Sequence, residues 1–76
     1  MKIKAEFIFP GLLKDEAIIC YLCKTFDIIV NILEASFSTD TGWAILILKG
    51  NEDEIKKAFD YLLGKGIEIK NKQTLA

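Results

Sequence analysis

Hydrophobic periodicity switches four times between the strand and helix periods along these 76 residues, and that succession fixes which folds the chain can adopt. Residues 2 to 9 set Ile3, Ala5, Phe7 and Phe9 against Lys2, Lys4, Glu6 and Ile8, the period of two that marks a strand with one covered face. Pro10-Gly11 interrupts this strand. The next segment carries Ile19, Leu22, Cys23 and Phe26 at i, i+3, i+4 and i+7, which predicts a helix from about Asp15 to Phe26. From Ile28 to about Phe37 β-branched residues accumulate and two parities separate, with Ile29, Asn31, Leu33, Ala35 and Phe37 on one side and Ile28, Val30, Ile32, Glu34 and Ser36 on the other. This second strand is apolar on both faces in its first half.

Ser38-Thr39-Asp40-Thr41-Gly42 is a turn cluster, and Trp43 to Leu48 is an apolar run too short for a helix, which reads as a central strand. Asn51 with Glu54 three residues later resembles a capping box, followed by the stripe Ile55, Ala58, Phe59 and Leu62. Gly64-Lys65-Gly66 stops that helix, and Ile67 to Lys70 alternates as a short last strand, leaving residues 70–76 as a frayed tail.

The order strand, helix, strand, strand, helix, strand is the split βαβ, or ferredoxin-like, α+β pattern: a four-stranded antiparallel sheet with two helices on one face. Right-handed crossovers put the first and third strands in the middle. The other face is left bare, and Ile8, Val30, Ile32 and one parity of Trp43 to Leu48 are expected to form an apolar patch on it. A second copy or a docked partner is the expected cover.

Composition narrows the chemistry. At this length the chain is expected to form one domain, residues 1–76; with 51% apolar and 28% charged residues it is too apolar for disorder, and it carries no unbroken apolar run long enough to span a membrane. Lys and Glu alternate near the N-terminus where a secretory signal needs an apolar stretch, so the expected location is cytoplasmic. Every basic residue is lysine, and with a net charge of -1 nucleic acid is not an expected partner. Histidine is absent, which removes the usual neutral-pH base and the commonest metal ligand; no enzyme activity, cofactor or metal is expected.

Three motifs invite a chemical reading. Cys20-Tyr21-Leu22-Cys23 has C-x-x-C spacing, yet nothing completes a four-ligand metal set and the pair lies in mid-helix rather than at a thiolate-stabilising N-terminus, so packing is the expected role. Pro10-Gly11-Leu12-Leu13 leads from a central strand toward a helix start, where free backbone N–H groups receive a carboxylate. Asn31 shares a face with Ile29, Leu33, Ala35 and Phe37; an amide buried there needs partners, since leaving it unpaired costs about 1–3 kcal/mol. Either the backbone of Pro10 to Leu13 or a small ligand would supply them.

The tripeptide Asn31-Ile32-Leu33, with Phe7-x-x-x-Gly11, Gly42-Trp43, Leu48-x-Gly50 and Ala58-x-x-Tyr61-Leu62, resembles the NIL domain family over nearly the whole chain. The family name comes from that tripeptide. The resemblance implies an ACT-like regulatory module, found at the C-terminus of methionine ABC-importer ATPases, that pairs as a homodimer and binds L-methionine. On that basis Asn31 bonds the polar head of an amino acid, Gly11 and Leu12 offer backbone groups, and Ile32 and Leu33 receive its side chain. The chain differs from common family usage at Ala17 and Cys20, and no G-x-x-x-x-G-K-[ST] nucleotide motif occurs in these residues. Two functions follow from the sequence: a homodimeric sensor of methionine or a related sulfur amino acid, or a ligand-free assembly module that docks on a transporter or a partner of sulfur amino-acid metabolism.

Overall fold

The computed structural model describes residues 1–11, 17–38 and 41–75. Its elements are β1 (Lys2–Pro10), α1 (Ile18–Thr25), β2 (Ile28–Phe37), β3 (Thr41–Gly50), α2 (Glu52–Gly64) and β4 (Glu68–Leu75). The four strands form one antiparallel sheet in the order β2-β3-β1-β4, the ferredoxin-like arrangement expected from the periodicity.

One face of the sheet carries the core. Ile3, Ala5, Phe7 and Phe9 of β1 lie opposite Leu48, Leu46, Ala44 and Gly42 of β3, and all except Gly42 belong to the apolar core that also holds Ile18 and Leu22 of α1 and Ile55, Ala58, Phe59 and Leu62 of α2. Phe7 is fully buried and stacks on Phe59 with ring centroids 5.9 Å apart. The predicted stripe of α2 is therefore the buried one. The stripe of α1 is rotated from the prediction: Ile18 and Leu22 are buried, Ile19 and Phe26 are partly buried, and Cys23 is exposed along with Cys20. Both cysteines are free thiols at the surface, which corrects the packing role expected for them. The helix begins far enough along the chain for Ile18 and Leu22, one turn apart, to supply the apolar contact.

Asn51 caps α2, its Oδ1 accepting from the Glu54 N–H at 3.0 Å. The reciprocal arm of a capping box is diverted: the Glu54 carboxylate instead accepts from the Asp27 N–H at the corner between α1 and β2. Gly66 takes φ +81 at the end of α2, the left-handed conformation for which its position was read as a stop.

The last strand is longer than expected. β4 continues to Leu75, which lies opposite Lys2, after an irregularity at Asn71 (φ 53) that shifts its register against β1. Its polar sequence signified an edge strand rather than a frayed tail. Lys70, Lys72 and Glu68 guard that edge against further pairing.

Register also reassigns the faces of β2. Val30 and Ile32 lie opposite Leu48 and Leu46, which points them to the helix side, not to the bare face where the sequence pattern placed them. Opposite residues of antiparallel strands share a face. A register shift between Ile32 and Glu34 leaves Leu33 unpaired and exchanges the parity beyond it, so Ala35 and Phe37 return to the helix side. Asn31, opposite Ile47, is on the open face and exposed.

Candidate functional site

A cleft of about 260 Å³ opens where β1 ends and α1 begins. The end of β1 supplies Phe9, Pro10 and Gly11, the first turn of α1 supplies Ala17 to Cys20, and the hairpin between β2 and β3 supplies Phe37, Ser38, Thr41 and Gly42. Phe9 and Phe37 meet with ring centroids 5.5 Å apart and form an aromatic wall.

The wall depends on an absent side chain. Gly42 lies directly opposite Phe37 in the hairpin, and a Cβ built on it would overlap the Phe37 ring, Cδ1 being nearest and Cε1 2.7 Å away. Close approach, not backbone conformation, is what requires glycine here. The hairpin is fixed beside it by the Ser38 Oγ, which donates to the Thr41 carbonyl at 3.0 Å and accepts from the Thr41 N–H at 3.2 Å, with the Ser38 N–H donating to the same carbonyl at 2.8 Å. These polar groups satisfy one another, so the cleft interior is mainly hydrocarbon with a thiol at Cys20 and backbone at Gly11. Such a site suits a small ligand with an apolar side chain and few polar atoms.

The residues singled out in the sequence divide between separate places. Gly11 borders the cleft. Leu12 lies outside the described residues. Asn31, Ile32 and Leu33 are all exposed in the middle of β2, at the edge of the sheet. Asn31 is level with Ile47 and Gly11 follows the Pro10–Thr41 pair, six residues along β3, which is about 20 Å at the usual rise per residue. Within one chain Asn31 and Gly11 do not form one site. Being exposed, Asn31 also does not need the internal partners expected for a buried amide; no buried side-chain polar atom among the described residues lacks one.

Sequence reading missed Phe37, Ile18 and Gly42 as cleft residues. A recoverable signal existed for one pair: a glycine five residues after an aromatic, across a tight turn, leaves a gap that the ring fills.

The Glu54 carboxyl is shifted in its titration. The Asp27 N–H donating to its carboxylate, and then Lys57 at 3.3 Å, lower its pKa from 4.5. It lies at the far end of α1 from the cleft and serves the fold. Among the described residues no group of three or more His, Cys, Asp or Glu could hold a metal ion, and no helix is long and apolar enough to cross a membrane.

An antiparallel sheet ordered β2-β3-β1-β4 with two helices over one face makes this a ferredoxin-like α+β domain. The chain belongs to the NIL domain family, whose model matches residues 5–71. A similar solved structure is the C-terminal domain of an ABC transporter ATP-binding protein from Enterococcus faecalis, with a TM-score of 0.72 and 21% identity, covering 92% of this chain and 83% of that one. At that identity the likeness speaks for the fold. No curated protein matches the chain.

Proposed function

We propose that the protein is a cytoplasmic, non-catalytic regulatory domain that binds L-methionine or a related sulfur amino acid as a homodimer, in the setting of a transporter. The observation that carries the reading is the cleft: about 260 Å³, walled by Phe9, Ile18 and Phe37, and open to backbone at Gly11. Its hydrocarbon walls receive a thioether side chain, and main-chain groups near Gly11, with Leu12 beside it in sequence, meet the ligand's carboxylate.

The homodimer reading rests on the contrast between the two sheet edges. Ile29, Ile32, Leu33 and Phe37 are four of the seven large apolar side chains that stand exposed among the described residues, and all are on β2, whose ten residues carry one charge, Glu34. β4, at the other edge, is guarded by charge. An unguarded apolar edge invites a strand of another chain. Antiparallel pairing of two β2 strands brings Asn31 of each copy level with the cleft end of the other but leaves it on the open face, across the sheet from the helix-side cleft, so its place is beside the strand pairing rather than against the ligand's polar head. Ile32 and Leu33 then line the contact. Ligand binding and assembly are coupled if the ligand prefers the paired arrangement.

The test is thermal unfolding of ligand-free protein against the twenty amino acids and homocysteine. A ligand at a hundred times its dissociation constant adds about 2.7 kcal/mol, roughly 10 to 20 °C for a domain of this size. A shift confined to methionine and its relatives is the expected result. Absence of any shift from folded protein would overturn the sensor. If such protein is also a tight dimer, the apolar edge serves an assembly module without a ligand.

A further inference from the structure

The open face of the sheet is a four-by-four array whose charges are sorted by end. Reading across the strands from β2 to β4, the rows are Ile29-Lys49-Lys2-Leu75, Asn31-Ile47-Lys4-Gln73, Glu34-Ile45-Glu6-Lys70 and Ser36-Trp43-Ile8-Glu68. Lys2, Lys4 and Lys49 occupy the first two rows, while Glu6, Glu34 and Glu68 occupy the last two, where Lys70 is engaged with Glu68 at 3.7 Å. Between them an apolar stripe of Trp43, Ile45 and Ile47 runs along β3 with Ile8 beside it, all half-buried although no helix among the described residues covers this side.

We propose that this face packs against the same face of a second copy, with the two-fold axis lying between the sheets and perpendicular to the strands. That axis exchanges the ends: basic rows lie over acidic rows. Lys4 then faces Glu6 of the other copy, Ile47 faces Ile45, Asn31 faces Glu34, and Lys49 lies over the Trp43 ring. A two-fold along the strands would instead lay lysine rows on lysine rows, so the charge order selects one of the two symmetric packings. Aligned sheets cross at about 30°, which makes the match one of rows rather than of single atoms.

The size is adequate. Four strands at about 4.8 Å and seven residues at about 3.3 Å give a flat footprint of roughly 450 Å² on each copy, which side-chain relief carries to the roughly 1,000 Å² total that a specific interface needs. The contact uses a surface separate from the β2 edge, so with the edge pairing proposed above it builds a four-chain assembly, and without that pairing a dimer.

Sedimentation equilibrium of the intact chain, with Lys4→Glu, Glu6→Lys and the double variant, tests it, circular dichroism confirming that each variant is folded. The expected parent is a tetramer that either single substitution reduces to a dimer, with at least tenfold weaker face association, and that the double swap restores. High salt is expected to weaken the same step. A parent dimer that Lys4→Glu converts to monomer supports the face contact and overturns the edge pairing. A parent dimer unmoved by all three variants overturns the face contact and leaves the edge pairing standing, and a monomeric parent overturns both.

Discussion

The Asp27 N–H donates to the Glu54 Oε1 at 3.1 Å, tying the corner between α1 and β2 to the first turn of α2. One hydrogen bond thus joins the α1–β2 corner to α2 across 27 residues of sequence. Because it is made to the ionised carboxylate, it lowers the Glu54 pKa, and folding is favoured wherever the unfolded chain binds the extra proton. The contribution is fully present above the ordinary carboxylate range and is lost as pH falls through the depressed folded value. Glu54→Gln is expected to melt below the parent at pH 7, with the difference closing in strongly acidic buffer. Melting curves of both proteins against pH check this, and a difference independent of pH would refute it.

Removing the cap of α2 has a separate and simpler cost. The Asn51 Oδ1 is the acceptor for the Glu54 N–H, and Asn51→Ala is expected to lose about 1 kcal/mol, or roughly 4–8 °C in Tm. Asn51→Asp retains the acceptor and is expected to keep most of that stability, which distinguishes capping from a general effect of substitution.

Gly42→Ala addresses the cleft. Its methyl group would occupy the position of the Phe37 ring, and because Phe37 is 59% exposed the ring has room to swing outward instead of forcing the strands apart. The expected stability loss is limited to the Phe9–Phe37 contact, about 0.5–1.5 kcal/mol. Methionine binding, if the cleft is its site, is expected to weaken at least tenfold. Calorimetric titration of folded variant protein measures it, and unchanged affinity would place the ligand elsewhere.

Phe7→Ala tests the core in which these features sit. The ring is fully buried in a central strand and stacks on Phe59, so its deletion is expected to cost about 3–5 kcal/mol and to lower the urea midpoint sharply. A loss below 1 kcal/mol would mean that the sheet and α2 do not pack as described.

Much of the fold was legible because local patterns there coincide with tertiary demands. The alternation from Lys2 to Phe9 matches the buried and open faces of β1, and the stripe Ile55, Ala58, Phe59 and Leu62 is the buried side of α2. The site was less legible. Gly11 was found by its turn chemistry, but Phe37 joins the cleft only because a register shift beyond Ile32 returns it to the helix side, and parity counted along β2 cannot reveal a shift that pairing with β3 creates. The same shift places Val30 and Ile32 toward the helices and Asn31 on the open face. At β4 the opposite error arose: a polar segment with no apolar alternation became strand because β1 offered it unpaired backbone groups.

By itself the sequence determined the order of the elements, the fold class they require, the cap and stop of α2, and the family carried by Asn31-Ile32-Leu33. Those properties depend on neighbours within a few residues, where spacing sets which side chains share a face. Tertiary structure alone decided that Asn31 is exposed about 20 Å along the sheet from Gly11, that the apolar edge is β2, and that lysines and glutamates divide between two ends of the open face. Each of these is a relation between strands distant in the chain, and hydrogen-bond register, which no single segment encodes, fixes them.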